Sequence, residues 1–436
     1  VFIRVYLWFQ ALKSKLAKVR FVNTNKDDDL QKLDEFFKSI GANPVVLALS
    51  LGRLGDGIGN SIPFIILPLY IDKLPAAGLN LPDTTKVGIA LSLFGLTAGI
   101  VQPFTGTLSD RLNARKVFVV TGLFVLGFAT LGFAFSRSYI HVLIFRILQG
   151  LGLAITIPAT VAILANVSER QTRGGSMGVF SSFRIAGLAI GPIIGGFLVN
   201  YGFNLTFFVG AAFIFLGVLV VIRIVPEVKA ETIDNDPKTF VLFDRSLLSA
   251  SILSLGLATF VMAASFTMVV PLENQMNARL NQTAAGFGIA FSALIIARFF
   301  LQVPFGRLSD RMGRKPFIVW GLALMALSTL ATGYLTTQWE FILVRIIQGI
   351  ASAGIAAPVF ALAGDLSRAG GEGRQMSIIT MGFTFGAALG TLVAGILANL
   401  FFALPFIVGG AASIIAALVV VYFVQETRAP QGAEAN

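Results

Sequence analysis

The chain has 436 residues, of which 56% are hydrophobic and only 13% charged, with a mean hydropathy of +0.82. That composition excludes a soluble globular enzyme and reads as a membrane protein. The net charge of +11 is then an excess of Lys and Arg on cytoplasmic loops, not a nucleic-acid-binding face. Cysteine is absent and His141 is the single histidine, so the sequence offers no disulfide framework, no thiolate metal site and no imidazole cluster; neither a metal nor another cofactor is expected.

Residues 1–43 open with VFIRVYLWFQALKSKLAKVRFV, an apolar run too short to cross a bilayer followed by a Lys/Arg-rich stretch. This fits an amphipathic helix lying on the inner, anionic membrane surface. It carries no small-residue cleavage site, so a signal peptide is not expected; a mis-set start is the alternative reading, because the chain opens on Val1. Apolar stretches of about 20 residues or more follow at 45–71, 87–107, 117–135, 140–166, 176–199 and 205–225. The polar, proline-containing stretch PEVKAETIDNDPKTFVLFDRS at 226–246 reads as a cytoplasmic linker. A second set lies at 247–271, 285–305, 316–335, 340–364, 375–399 and 403–424.

The expected fold is therefore all-α: twelve transmembrane helices in two six-helix bundles, 44–225 and 247–424, with a cytoplasmic tail at 425–436. With residues 1–43 inside, the inner loops and tails hold most of the 33 Lys and Arg, which places both termini in the cytoplasm of a multi-pass cell (inner) membrane protein, expected to be a monomer in the lipid bilayer.

The two halves repeat each other. GTLSDRLNARK from Gly106 recurs as GRLSDRMGRK from Gly306, RILQG from Arg146 recurs as RIIQG from Arg345, and Gln102 recurs as Gln302. Three matches at an offset of about 200 describe homologous six-span halves, an organisation of secondary transporters whose substrate site lies near the bilayer midplane between them.

These residues resemble the major facilitator superfamily over about 44–428. Its signature G-x-L-[SA]-D-R-x-G-R-[RK] is complete at Gly306–Lys315. R-x-x-Q-G-x-G is present as Arg146, Gln149, Gly150 and Gly152. GLAIGPIIGG, which spans Gly187, Gly191, Pro192, Gly195 and Gly196, resembles an element of the proton-driven exporters, closest to the twelve-span drug:proton antiporters, as does SIPFIILPLY in the first span. The first-half signature departs from the pattern, with Asn113 in place of Gly and Ala114 in place of the first Arg; Asn tolerates a left-handed turn, but the register of the basic cluster is in question.

The resemblance implies gating residues at Gly106, Asp110, Arg111 and Arg115 and at Gly306, Asp310, Arg311 and Arg314, locking the cytoplasmic side by charge pairs; simple topology anchoring is the alternative. It also makes Arg146 a proton-transfer partner, and the glycine–proline element a hinge or a seal, against ordinary tight packing.

GRLGDGIGN at 52–60 has the wrong glycine spacing for a dinucleotide loop. It places Asp56 about 17 Å into a span that starts near Val45, close to the middle of a ~30 Å core. Asp56 is the only acid set so deep by this count, since Glu273, Glu340 and Asp365 fall near span ends. Three readings are open: a coupling proton site, a static ion pair with Arg53 one turn away, or direct cation binding. The first is adopted. Gly55 and Gly59 form a small-x-x-x-small face for a neighbouring helix.

Arg184 and Arg298 each lie about 12 Å from the cytoplasmic ends of spans five and eight, and the resemblance implies that those two spans face each other across the halves, which sets two like charges at equal depth. They bind an anionic group of the substrate or they snorkel to the inner interface. Phe64 and Phe266 are candidate cavity rings. The expectation is a proton-coupled exporter of amphipathic small molecules, in which Asp56, Arg53 and Arg146 handle the proton. A proton symporter or carrier of an anionic or lipid-like substrate is the alternative, and a non-transporting sensor is a more distant one. No nucleophile with a base is present in any span, so no enzyme activity is expected.

Overall fold

The computed structural model describes residues 41–75, 78–112, 114–168, 172–227, 249–366 and 372–426. Residues 1–40, which carry the expected amphipathic helix, nearly all of the linker and residues 427–436 lie outside the described residues. Twelve long helices follow one another: α1 Pro44–Ile71, α2 Asp83–Arg111, α3 Arg115–Gly132, α4 Tyr139–Val167, α5 Arg173–Leu198, α6 Phe203–Ile224, α7 Ala250–Thr267, α8 Ala284–Met312, α9 Arg314–Thr332, α10 Gln338–Leu366, α11 Glu372–Leu397 and α12 Leu404–Phe423. Each is long and apolar enough to cross a bilayer, as the hydropathy pattern predicts.

Local signals set the helix ends. Asn43 accepts from the Val46 N–H at 2.8 Å and Pro44 occupies the first turn of α1, where a missing N–H costs nothing. Gly313 holds φ +101°, the turn that the complete signature requires between α8 and α9; its counterpart Asn113 lies outside the described residues. One element departs from expectation. A 3₁₀ turn at Val270–Leu272 and a short helix at Glu273–Arg279 prolong α7, so its helical run reaches Arg279 rather than ending near 271.

The sequence repeat becomes a packing repeat. In the first half α1 packs on α5 and α6, and α4 on α2 and α3; in the second α7 packs on α11 and α12, and α10 on α8 and α9. Glycines permit this closeness: a Cβ on Gly57 of α1 would sit 2.9 Å from the Arg184 carbonyl oxygen of α5, and one on Gly59 would sit 2.5 Å from the Gly210 carbonyl oxygen of α6. Large apolar side chains such as Phe128, Leu327 and Tyr422 point outward, as a lipid-facing surface demands.

Among the described residues the halves touch chiefly through two helix pairs, α2 with α11 and α5 with α8, with smaller contacts of Val270–Arg279 on α1 and α2. At the end opposite the termini one apolar cluster joins them, running from Ile62, Ile66 and Val87 to Leu272, Phe287 and Ala394. Towards the end that carries the termini each half keeps its own core, one around Leu49, Val119 and Val221 and the other around Leu255, Leu322 and Val359. Among the described residues, the core shared by both halves therefore lies at the end opposite the termini.

Candidate functional site

Asp56 sits near the middle of α1 and is 2% exposed. It accepts from Arg53 Nη1 one turn earlier in a buried ion pair, so the static-pair geometry is present. The Phe180 ring of α5 lies 5.9 Å from the Arg53 guanidinium. Arg53 also lines a small, partly open space with Thr156, Thr160 and Val221, within the first bundle. Two buried charges survive there because each is the other's counter-ion; a lone Asp at mid-membrane costs at least about 2.5–3.5 kcal/mol.

Arg184, half-buried on α5, is close enough to feel the charges of Arg53, Asp56 and, from the other half, Arg298. Arg298 lies near the middle of α8 with its guanidinium 5.5 Å from the Phe383 ring of α11, and Phe383 in turn tilts against Phe266 of α7 at 6.0 Å. The structure therefore brings Arg53, Asp56, Arg184 and Arg298 into one electrostatic group of three guanidiniums and one carboxylate. Arg53 Nε and Arg298 Nε, both buried, have no hydrogen-bond partner, nor has Gln302 Oε1.

Arg146 is not part of this group. It is fully buried in α4 and donates to Gln149 Oε1 at 3.0 Å; Gln149 Nε2 reaches Thr130 Oγ1 at 2.8 Å, and Phe94 and Phe133 flank the guanidinium at 5.8 and 5.7 Å. Arg345 repeats the arrangement with Gln348 at 2.7 Å and adds the Phe266 carbonyl oxygen at 2.9 Å. It braces α10 on α7 by capping a neighbouring carbonyl. Phe64 meets Phe291 of α8 edge-on at 5.7 Å, which places it in the joint between halves.

The glycine–proline element packs in two directions. A Cβ on Gly187 would lie 2.9 Å from Gly57 Cα and one on Gly191 2.7 Å from the Ile58 carbonyl oxygen, both on α1. Gly195 faces Ile62 and Ile66 at van der Waals distance, whereas a Cβ on Gly196 would lie 2.5 Å from the Ala284 carbonyl oxygen of α8, across the halves. Pro192 stands within an unbroken α5, and its carbonyl borders Gly288 of α8. The second half repeats the pattern: Gly390 packs on Ala264 of α7, and Gly395 on Thr84 and Gly88 of α2.

Around the signature loops, Arg314 pairs with Asp310 at 2.9 Å and also with Asp365 at the end of α10, all within the second half. Arg111 and Arg311 are exposed, Gly106 and Gly306 pack on α4 and α10, and the Asp110 side chain lies outside the described residues. The pairs of Arg314 brace one bundle. Equivalent bonds settle the register of the first-half signature: the Lys116 N–H donates to Glu227 at 3.0 Å and its Nζ to the Ile222 carbonyl at 3.0 Å, while Lys315 makes the same bonds to Glu426 at 2.8 Å and the Val421 carbonyl at 2.7 Å. Lys116 therefore matches Lys315 and Arg115 matches Arg314, with one extra residue in the first-half loop. Glu227 and Glu426 escaped the sequence reading, although VPE and VQE recur at the spacing of the two lysines.

Glu273, in the last part of the helical run Ala250–Arg279, is buried as well as Asp56: it is 0% exposed, and among the described residues neither carboxylate oxygen is within hydrogen-bond geometry of a partner, the Asn277 side chain standing beside it. The continuation of α7 carries it into the apolar joint beside Leu272 and Met276.

Over residues 49–277 and 255–436 the chain matches the family model described as Major Facilitator Superfamily. It is similar to the multidrug resistance protein MdtG of Proteus mirabilis (strain HI4320), 26% identical over 307 residues, which are 69% of this chain and 75% of that protein. It is also similar to the quinolone resistance protein NorA of Staphylococcus aureus (strain MSSA476), 24% identical over 315 residues, 69% of this chain and 76% of NorA. Among solved structures, a D-xylose-proton symporter superposes with a TM-score of 0.72 at 15% identity, covering 88% of this chain and 98% of the symporter. A bacterial homologue of the human lysosomal transporter Spinster, in an inward-facing and occupied conformation, gives 0.69 at 16% identity, covering 86% and 94%.

Proposed function

The chain belongs to the Major Facilitator Superfamily and is a multi-pass membrane transporter, and on that premise we propose that it is a proton-coupled exporter of amphipathic small molecules. The names of its relatives, a multidrug and a quinolone resistance protein, support the exporter reading. The observation that carries it is the buried carboxylate of Asp56, set mid-helix beside its partner Arg53.

With the termini in the cytoplasm, the joined end faces outward and this conformation opens inward. Cargo enters between the halves and meets the wall of Arg184, Arg298 and Phe383. Rocking about the α2–α11 and α5–α8 contacts then closes the inner side and opens the outer. A proton taken up by Asp56 on the outer side cancels its attraction for Arg53 and Arg184; the guanidiniums then repel each other, and the rearranged wall releases cargo. Return of the proton to the cytoplasm restores the pair. One proton moving through about 100 mV supplies roughly 2.3 kcal/mol, enough for a gradient of about 50-fold in a neutral cargo.

Proteoliposomes loaded with a pH dye test this, with cationic, neutral and anionic amphiphiles added to wild type and Asp56→Asn. Cargo-dependent proton movement opposite to cargo, lost in the variant, is the expected result. Equal transport by both proteins would make Asp56 a structural partner of Arg53 and remove the mechanism.

The surplus of guanidiniums favours a second reading, uptake of an anionic cargo. An anion bound between Arg184 and Arg298 would make protonation of Asp56 easier, so proton and cargo would bind together and move in the same direction. Proton movement parallel to an anionic probe, weakened by Arg298→Gln, would select it.

A further inference from the structure

Glu273 is a carboxyl that the proposed coupling step does not use. It opens the short helix that prolongs α7, in the joint that closes the end opposite the termini, where residues of both halves surround it. The same helix touches α1 of the first half through Asn274, whose Nδ2 donates to the Pro68 carbonyl at 3.2 Å, and it packs on α8 of the second. No solvent reaches Glu273, and neither carboxylate oxygen is hydrogen-bonded.

The charged and titratable groups on the packed elements are engaged elsewhere or exposed. On α1, Tyr70 donates to the carbonyls of Phe133 and Ser136, Asp72 is exposed, and Lys73 lies over the Phe203 ring. On α2, Lys86 is paired with Asp83 at 2.8 Å. Arg279, at the far end of the same helix, donates to the Leu335 carbonyl and covers the Phe402 ring. Asn277, one turn on, is the polar side chain beside Glu273, and its Oδ1 accepts from Gln282. On α8, Arg298 is the first charged residue, far down the helix at the central group. Arg345 of α10 is turned to Phe266 and Gln348.

A carboxylate with no counter-ion, and with one neutral amide, Asn277, as its only polar neighbour among the described residues, does not persist as an anion in an apolar seam; it takes a proton. We propose that Glu273 is a proton-binding site in the closed outer joint, and that opening of this joint releases the proton. When the halves part, water reaches the carboxyl, its O–H bond breaks, the proton passes to that water, and the resulting anion is hydrated. Re-closing requires the proton back, because the anion would otherwise be stripped of water without a partner. The joint therefore closes with a proton and opens without one, whichever cargo is carried and whatever Asp56 does.

The chain has no cysteine, so a spin-label pair can be introduced cleanly. Tyr201→Cys and Trp339→Cys, both about four-fifths exposed, lie at this end on opposite halves. Pulsed dipolar distances are measured across a pH series in lipid nanodiscs, without cargo. Wild type is expected to shift from the short to the long distance as pH rises, and Glu273→Gln, which mimics the protonated acid, to lose that shift and keep the short distance throughout. Asp56→Asn is expected to retain the shift, which separates a failure of this inference from a failure of the coupling mechanism. Retention of the full pH response in Glu273→Gln would overturn the proposal.

Infrared difference spectra of wild type between the two pH extremes provide a second measurement should the variant fold poorly. A protonated-carboxyl carbonyl band that disappears as the long distance grows is expected. Its absence at the pH where the short distance dominates would equally overturn the proposal.

Discussion

Asn399 donates through Nδ2 to Thr85 Oγ1 at 2.7 Å, a hydrogen bond from the end of α11 to the start of α2, and accepts one from Thr84 Oγ1 at 2.8 Å on its Oδ1. This clasp joins the two halves beside the Gly395–Gly88 contact. Asn399→Leu removes both bonds but leaves the threonine hydroxyls their alternative acceptor, the Gly395 carbonyl at 2.9 and 3.1 Å. The expected loss is about 1–2 kcal/mol in favour of the open joint, or about 5- to 30-fold in the ratio of closed to open. The Tyr201–Trp339 label pair reads it.

Gly196 and Gly395 permit closure itself. A Cβ on Gly196 would stand 2.8 Å from Ala285 Cα, and one on Gly395 3.1 Å from Gly88 Cα, both backbone atoms of the other half. Gly196→Leu and Gly395→Leu are expected to fold, because their glycines face the partner half, yet to lose transport by more than about 10-fold, since the joint cannot re-form. Gly174→Ala, with nothing within 4 Å, serves as the control and is expected to transport like wild type. Counterflow in proteoliposomes, with helicity checked by circular dichroism, decides it.

Glu426 accepts from the Arg314 and Lys315 N–H groups at 2.9 and 2.8 Å, capping α9 from just beyond α12. Glu426→Ala leaves both donors to water and is expected to cost about 1–2 kcal/mol. Glu227→Ala removes the equivalent bond to the Lys116 N–H of α3 and is expected to lower the melting temperature as well. An unchanged melting temperature in Glu426→Ala would contradict the capping role.

Arg53→Gln leaves Asp56 buried without its counter-ion, at an expected cost of about 3–5 kcal/mol, and Arg53→Gln with Asp56→Asn together is expected to recover most of it. Thermal unfolding of the three variants forms the cycle. Comparable loss in the single and double variants would mean that the pair is replaced by other contacts and does not hold α1 in place.

Much of the architecture is legible in the chain because membrane insertion is governed by local hydropathy: a run of about 20 apolar residues spans wherever it stands. The twelve helices, the homologous halves and the signature loop at Gly306–Lys315 are of this kind. The charges of the site are also visible, since an Asp or Arg within such a run has few reasons to be there. Their partners are less so. Arg53 and Asp56 meet because they are one turn apart on one helix, which spacing predicts, whereas the capping of Lys116 and Lys315 by Glu227 and Glu426 joins residues more than a hundred positions apart.

By itself, the sequence determined the number of spans, their two-fold repetition and the helix that bears each buried charge, because these follow from composition and period along the chain. Only the tertiary structure decided which buried acid has a partner. Asp56 is matched within its own turn, but Glu273 loses its water through the docking of α1 and α8 around the prolonged α7. Depth along a helix is a local property; burial in a joint between two bundles is made by residues the chain brings together from both halves, and no periodicity records it.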